Sequence, residues 1–353
     1  MTITRVEVWR HRMQLVEPYT IAYETVDATE NVFVLLHTNG PHVGVGCAAP
    51  AEAVSGERVS DTADFLRDVV ADLLVGRDPI RIAALLAIMR KHGRARPSAR
   101  AAVDMALYDL LAKTAGLPLY RLLGAYRTRI RTSVTIGIHS IAETVARARL
   151  RVAEGFTCIK IKGGIEVESD IERVLAVRRA VGAAIDLRFD ANQGFTVQQA
   201  HAFLTGVARA GLQLLEQPTV RGNPQALGEV SRGAQIPVMA DESVLGLRDA
   251  FYVAKRDLVD MINIKLMKTG GIMEAMQINA VARSAGYRTM VGCMDEAAVA
   301  VAAGLHFALT RANIRYADLD GHLDLVGDPS VSALIVRRGC VYPRDVAGLG
   351  WTP

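Results

Sequence analysis

The chain has 353 residues, half of them hydrophobic and 22% charged, with 41 basic against 37 acidic side chains. That length supports one large domain plus a smaller one around a sizeable core, and the balance excludes a disordered chain. A net charge of +4 is modest, and the best basic cluster, Arg90-Lys91-His92-Gly93-Arg94-Ala95-Arg96, reads as a short solvated face, so no nucleic-acid partner is expected. The cysteines Cys47, Cys158, Cys293 and Cys340 form no Cys-x-x-Cys pair, which fits a reducing compartment. Met1 to Arg5 runs straight into strand pattern without a secretory signal, and even the apolar stretch 297–309 is too short to span a bilayer. A cytoplasmic protein with no membrane partner is the expectation.

The first part reads as α+β. Ile3 to Trp9 and Val32 to Thr38 alternate like strands, and Asn39-Gly40 turns the second into Val43 to Ala48. Helical periodicity follows over 56–74, 80–91 and 98–114, the last stopped by Gly116. From about Arg127 the texture becomes a repeat, with β-rich runs at 133–138, 157–162, 185–190, 212–216, 236–241, 259–265, 288–293 and 314–319. Helical segments such as 169–181, 198–210 and 272–285 fill the gaps, the period of a parallel strand–loop–helix unit. Eight such strands predict an α/β barrel of the (β/α)8 kind. The Gly44-Val45-Gly46 stretch lacks the rest of a dinucleotide-binding fingerprint.

Active sites of such barrels lie at the C-terminal ends of the strands. Those ends carry, in order, Lys160 and Lys162, Asp190, Glu216, Asp241, Lys265, then Asp318 and Asp320. One charged residue ending a strand is an ordinary solvated position, but side chains from successive barrel strands converge on one volume. Asp190, Glu216 and Asp241 on adjacent strands would repel one another unless a cation neutralises them. Oxygen-only ligands select a hard ion, Mg²⁺, and the eight histidines show no zinc spacing. Asn192, two residues past Asp190, is placed as a partner behind the ligands. Lys160 and Lys162 share one face of a strand and, with a metal ion nearby, are expected to lower each other's pKa, giving a base near neutral pH. Lys265 comes from across the barrel, so a substrate between Lys162 and Lys265 could lose a proton from one face and regain it on the other.

Lys160-Ile161-Lys162, Asp190-Ala191-Asn192, Glu216-Gln217-Pro218, Asp241-Glu242-Ser243 and Ile264-Lys265 together resemble the enolase superfamily, muconate-lactonizing subgroup, over nearly the whole chain. The resemblance implies Mg²⁺ on Asp190, Glu216 and Asp241, acid/base catalysis by Lys162 and Lys265, and assistance from Lys160. It also implies proton transfer through an enediolate, a homo-oligomer, and a modified (β/α)7β barrel. The domains would then be an N-terminal α+β capping domain, 1–126, a barrel, 127–320, and a tail, 321–353, that returns to the cap.

The lysines do not choose the reaction; the last strand is more telling. Asp318-Leu319-Asp320 aims two carboxylates into a pocket where a metal already holds the substrate carboxylate, which calls for a cationic group on the substrate. The pattern resembles the Asp-x-Asp motif of dipeptide epimerases of the L-Ala-D/L-Glu type, in which these acids hold the amino terminus. Epimerases of that specificity carry an arginine in the capping loop, where Pro18 to Thr25 here offers Glu24. With Asp295 after the seventh strand, this predicts basic or neutral side chains over acidic ones. Thr135, ending the first strand, is a further pocket candidate. An N-acylamino acid racemase, o-succinylbenzoate synthase or cycloisomerase would use the same lysines and metal, and a non-catalytic metal-dependent binding protein is the alternative of another class.

Overall fold

The computed structural model describes residues 1–22 and 24–353. The N-terminal sheet is built from β1 (Ile3–Thr20), β2 (Thr25–Thr38) and β3 (Val43–Ala48), paired antiparallel in that order. The first two strands run well beyond the segments the alternation marked. Met13 and Leu15 continue the buried face of β1, while Arg10 on the outer face forms a 2.8 Å ion pair with Glu30 of β2. The helix Pro97–Thr114 packs on this sheet. Gly44 and Gly46 face it, and a Cβ on Gly46 would come within 1.9 Å of the Ala102 carbonyl. The two glycines therefore serve close helix–sheet packing, a role that needs no nucleotide.

Eight parallel strands follow: β4 (Val134–Ile136), β5 (Cys158–Lys162), β6 (Asp186–Asp190), β7 (Leu212–Glu216), β8 (Val238–Ala240), β9 (Met261–Lys265), β10 (Arg288–Gly292) and β11 (Ile314–Asp318). Each pairs with its sequence neighbours. The Ser133 amide donates to the Ala317 carbonyl at 3.1 Å, joining the first strand to the last and closing the barrel. Ser140 and Thr196 cap the helices after β4 and β6 with capping boxes, which fixes where those loops end. Leu214, Met239, Met261 and Met290, with Tyr316 against them, fill the lower barrel. The strand-end lysines and acids stand beyond this layer, at the C-terminal mouth.

After β11 no α-helix follows, as the modified barrel requires. Instead β12 (Leu325–Val326) pairs antiparallel with Gln14 and Leu15 of β1, and the Trp351 ring packs 6.0 Å from Phe33 in the cap. Among the described residues, no helix is long and apolar enough to cross a membrane.

Candidate active site

Strand order turns the list of strand-end residues into a ring. Lys162 ends β5 and Lys265 ends β9, four strands away in a ring of eight and so directly opposite. Between them on one arc stand Asp190 at the end of β6, Glu216 at the end of β7, and Asp241 just past β8. The other arc carries Asp295 after β10, Asp318 and Asp320 at β11, and Thr135 in β4. A cavity of about 400 Å³ opens between these ends and the cap, which contributes Tyr19, Ile21, Glu24, Ala49, Pro50 and Val54.

The Lys160 ammonium is the hub of the floor. Its Nζ lies 3.0 Å from Asp190 Oδ2, 2.7 Å from Glu216 Oε2 and 2.8 Å from Asp318 Oδ2. Burial alone would push this ammonium down, but Asp190, Asp318 and Glu216 together hold it well above the ordinary lysine range. Lys265 behaves alike: burial lowers it, and Asp241 Oδ2 at 2.9 Å more than reverses that. The expectation that Lys160 is depressed by its neighbour Lys162 is thus corrected. Three carboxylates within 3.0 Å of Lys160, and one at 2.9 Å from Lys265, decide the sign.

The three arc carboxylates are fully buried or nearly so. Lys162 donates to Asp190 Oδ2 at 2.7 Å, and Asn263 Nδ2 donates to Glu216 Oε1 at 2.7 Å. Burial raises Asp190, but Lys160 and Lys162 bring it below the usual range; Asp241 is likewise lowered by Lys265 and Lys268. Glu216 goes the other way, pushed up to about 7 by burial and by Asp190. Its Oε2 lies near Lys160 without the alignment of a hydrogen bond and has no donor. As the side chains stand, each carboxylate is turned toward a partner of its own. Among the described residues no three His, Cys, Asp or Glu groups are gathered at the spacing of one ion. The donor chemistry nonetheless fits Mg²⁺: three buried carboxylates on adjacent strands, oxygen only, with one oxygen left unsatisfied.

On the opposite arc, Asp318 accepts from Lys160 and, at 2.6 Å, from the Ser133 hydroxyl. Burial would raise it, but Lys160 and Ser133 bring it down to about 2. Asp320 accepts the Thr135 amide at 2.6 Å and is pushed up to about 7 by burial and by Asp318. Thr135 thus enters through its backbone as well as lining the cavity. Asp295, half-buried and raised, receives the Tyr19 hydroxyl at 2.7 Å and is close enough to Lys162 and Lys265 to feel both charges. Glu24 lines the same side of the cavity.

Asn192 sits where the sequence places it, but differently engaged. Its amide donates to Asp190 Oδ1 at 2.9 Å while its side chain turns to Glu242 Oε1 at 3.3 Å. The backbone accounts for this, since Asn192 has φ +41°, which swings the side chain off the strand's face. Glu242 itself is a cavity residue that sequence reasoning passed over, raised to about 7 by burial and Asp241. So is Lys268, whose fully buried Nζ donates to the Asp241 carbonyl at 2.6 Å, contacts Asp241 Oδ1, and donates to the Asn263 carbonyl at 3.2 Å. Its signal was available, as the second lysine in Lys265-Leu266-Met267-Lys268, one helical turn past a strand-end lysine. Tyr19, Ser133 and Asn263 had no such signal, because neutral strand and loop residues carry no charge to notice.

Comparison with known proteins agrees with this fold. Residues 3–124 match the mandelate racemase / muconate lactonizing enzyme N-terminal domain, and residues 143–353 match the enolase C-terminal domain-like family. An L-Lys-D/L-Arg epimerase of Desulforapulum autotrophicum is 40% identical over 352 residues, 99% of each chain. The solved dipeptide epimerase of Enterococcus faecalis, complexed with Mg and L-Leu-L-Tyr, superposes with a TM-score of 0.97 at 36% identity, covering 99% of each chain. That of Methylococcus capsulatus, complexed with Mg and L-Arg-D-Lys, gives 0.95 at 35% identity over 99% of each. The chain belongs to the mandelate racemase / muconate lactonizing enzyme family of the enolase superfamily and, like these relatives, is an isomerase.

Proposed function

We propose that the protein is a Mg²⁺-dependent dipeptide epimerase that inverts the α-carbon of the C-terminal residue. The observation that carries this reading is the ring: carboxylates for a metal on one arc, acids for an ammonium on the other, and a lysine on each flank. A dipeptide laid across the ring puts its carboxylate on the first arc, its amino terminus on Asp318 and Asp320, and its C-terminal α-carbon between Lys162 and Lys265. Asp190, Glu216 and Asp241 would hold the ion, which when bound draws charge from the substrate carboxylate and makes the neighbouring C–H more acidic. One lysine takes the proton from its face of the carbon, and the other returns a proton to the opposite face. Lys160 holds its three carboxylates in place, and the cap over the cavity keeps water from competing for the proton.

The direct test is proton NMR of the protein with Mg²⁺ in D₂O, against a mixed L,L-dipeptide library. Deuterium at the C-terminal α-carbon with a new diastereomer is expected. Exchange with N-succinylamino acids and with no dipeptide would transfer the reading to a racemase of the same family.

Asp320 supplies a second prediction. Its carboxylate receives the ammonium only when ionised, and with a pKa of about 7 it is ionised above neutrality and protonated below. KM for a dipeptide should therefore fall as pH rises through neutrality. Asp320→Asn should raise KM about thirtyfold and flatten that dependence. A KM that ignores both pH and the substitution would move the ammonium site elsewhere.

Side-chain choice is set, on this reading, by Glu24 and Asp295, which line the cavity with, among the described residues, no cationic side chain bonded to either. They favour a C-terminal residue with a cationic side chain, in keeping with the names of two of the relatives. We expect kcat/KM for Xaa-Lys to exceed that for Xaa-Glu by at least about tenfold, and Glu24→Arg to cut that ratio about tenfold. A preference for Xaa-Glu in the unaltered protein would discard this assignment.

A further inference from the structure

Arg188 is a cation the chemistry above does not use. It projects from β6 into the barrel interior, 1% exposed, beneath the floor of the cavity. Such a charge is costly to bury without compensation, yet its hydrogen bonds reach no carboxylate. Nε donates to Gln213 Oε1 at 2.8 Å, Nη1 to the Ala317 carbonyl at 2.9 Å and to Ser133 Oγ at 3.1 Å, and the guanidinium stacks 4.9 Å over Tyr316. Ser133, fully buried, stands between this cation and Asp318. A guanidinium only donates and an ionised carboxylate only accepts. The hydroxyl accepts from Arg188 and, with the Ala317 carbonyl at 3.3 Å as its other acceptor, points its proton at the nearer, charged Asp318 Oδ1, 2.6 Å away.

We propose that Arg188 and Ser133 form a positioning relay that orients Asp318 for the ammonium group of the substrate, so that substrate selection depends on two residues that never touch the substrate. The proposal rests on the reading that Asp318 binds the dipeptide amino terminus. Lys160 holds Asp318 Oδ2 at 2.8 Å from the metal side, and the relay holds Oδ1 from below. With both oxygens pinned, the carboxylate plane is fixed and its remaining lone pairs face the cavity. Closure of the barrel builds the relay, because the same Ser133 whose amide bonds Ala317 presents its hydroxyl to Asp318.

The experiment compares Ser133→Ala with the unaltered protein, using the best dipeptide as substrate and its analogue lacking the amino group as a competitive inhibitor. Ser133→Ala should raise KM for the dipeptide about tenfold, with kcat within about twofold and Ki of the des-amino analogue unchanged. Arg188→Lys, which keeps the charge but loses the fork that reaches Ser133 and Ala317 together, should shift KM in the same direction. Equal weakening of both ligands would mean general damage to the cavity and overturn the relay, as would no change in either. Should Ser133→Ala fail to fold, Ser133→Cys keeps the side chain's shape with a bulkier, weaker donor and carries the same expectation. If the unaltered protein binds the des-amino analogue as tightly as the dipeptide, the ammonium reading fails, and the relay with it. If it prefers the dipeptide while Ser133→Ala leaves that preference intact, only the relay fails.

Discussion

Lys265→Ala should lower epimerisation by at least about 10³-fold while leaving dipeptide binding within a few-fold, because removing one of two acid/base groups forfeits proton transfer on one face alone. Its more telling consequence is in D₂O. Lys162, on the opposite flank, still reaches the α-proton on its own side. One diastereomer should therefore exchange that proton without inverting, while the other stays unlabelled. Lys162→Ala should show the mirror pattern, with exchange confined to the other diastereomer. Loss of exchange from both diastereomers in either variant, with binding intact, would indicate that one lysine does all the work. The variant is also a fair one structurally. Asp241 loses Lys265 at 2.9 Å but keeps Lys268 on its other oxygen, so no buried carboxylate is left bare. Lys160 offers no such safety, since its removal would strip a single ammonium from Asp190, Glu216 and Asp318 together.

What the sequence disclosed and what it hid divide along charge and distance. Strand-end lysines and acids were legible because a charged residue closing a β-rich run is visible locally, and the regular period fixed which strands are neighbours. The barrel could thus be read as a ring before any coordinates, and so could the opposition of Lys162 and Lys265. Registration across the closure was not legible. Nothing local ties Ser133 to Asp318, 185 positions later, or Tyr19 to Asp295, 276 positions away. The sign of the Lys160 shift was hidden for the same reason: the spacing of Lys160 and Lys162 is written in one strand, while the carboxylates that surround Lys160 come from β6, β7 and β11. In the cap, Arg10 and Arg12 masked the strand's continuation, because outward charges look like a loop until Glu30 is seen opposite Arg12 and paired diagonally with Arg10.

Chelation of the metal should abolish turnover, and Mg²⁺ should restore it. Two further readouts separate a ligand set from a merely acidic patch. Since the folded chain gathers Asp190, Glu216 and Asp241 and the unfolded chain does not, Mg²⁺ should raise Tm in proportion to the logarithm of its concentration above Kd. Glu216→Gln should then weaken Mg²⁺ binding by more than the about 10–100-fold that loss of an outer-shell partner costs, flattening the Tm response over the same range. This substitution isolates charge from shape. Glutamine keeps the carbonyl oxygen that accepts from Asn263 at 2.7 Å, and it removes the charge that Oε2 sets 2.7 Å from the Lys160 ammonium. A folded variant unresponsive to Mg²⁺ is the outcome expected of a carboxylate that holds the ion. If Glu216→Gln keeps the full Mg²⁺-dependent rise in Tm, the ion sits elsewhere, and the arc of three carboxylates is a counter-charge for the lysines alone.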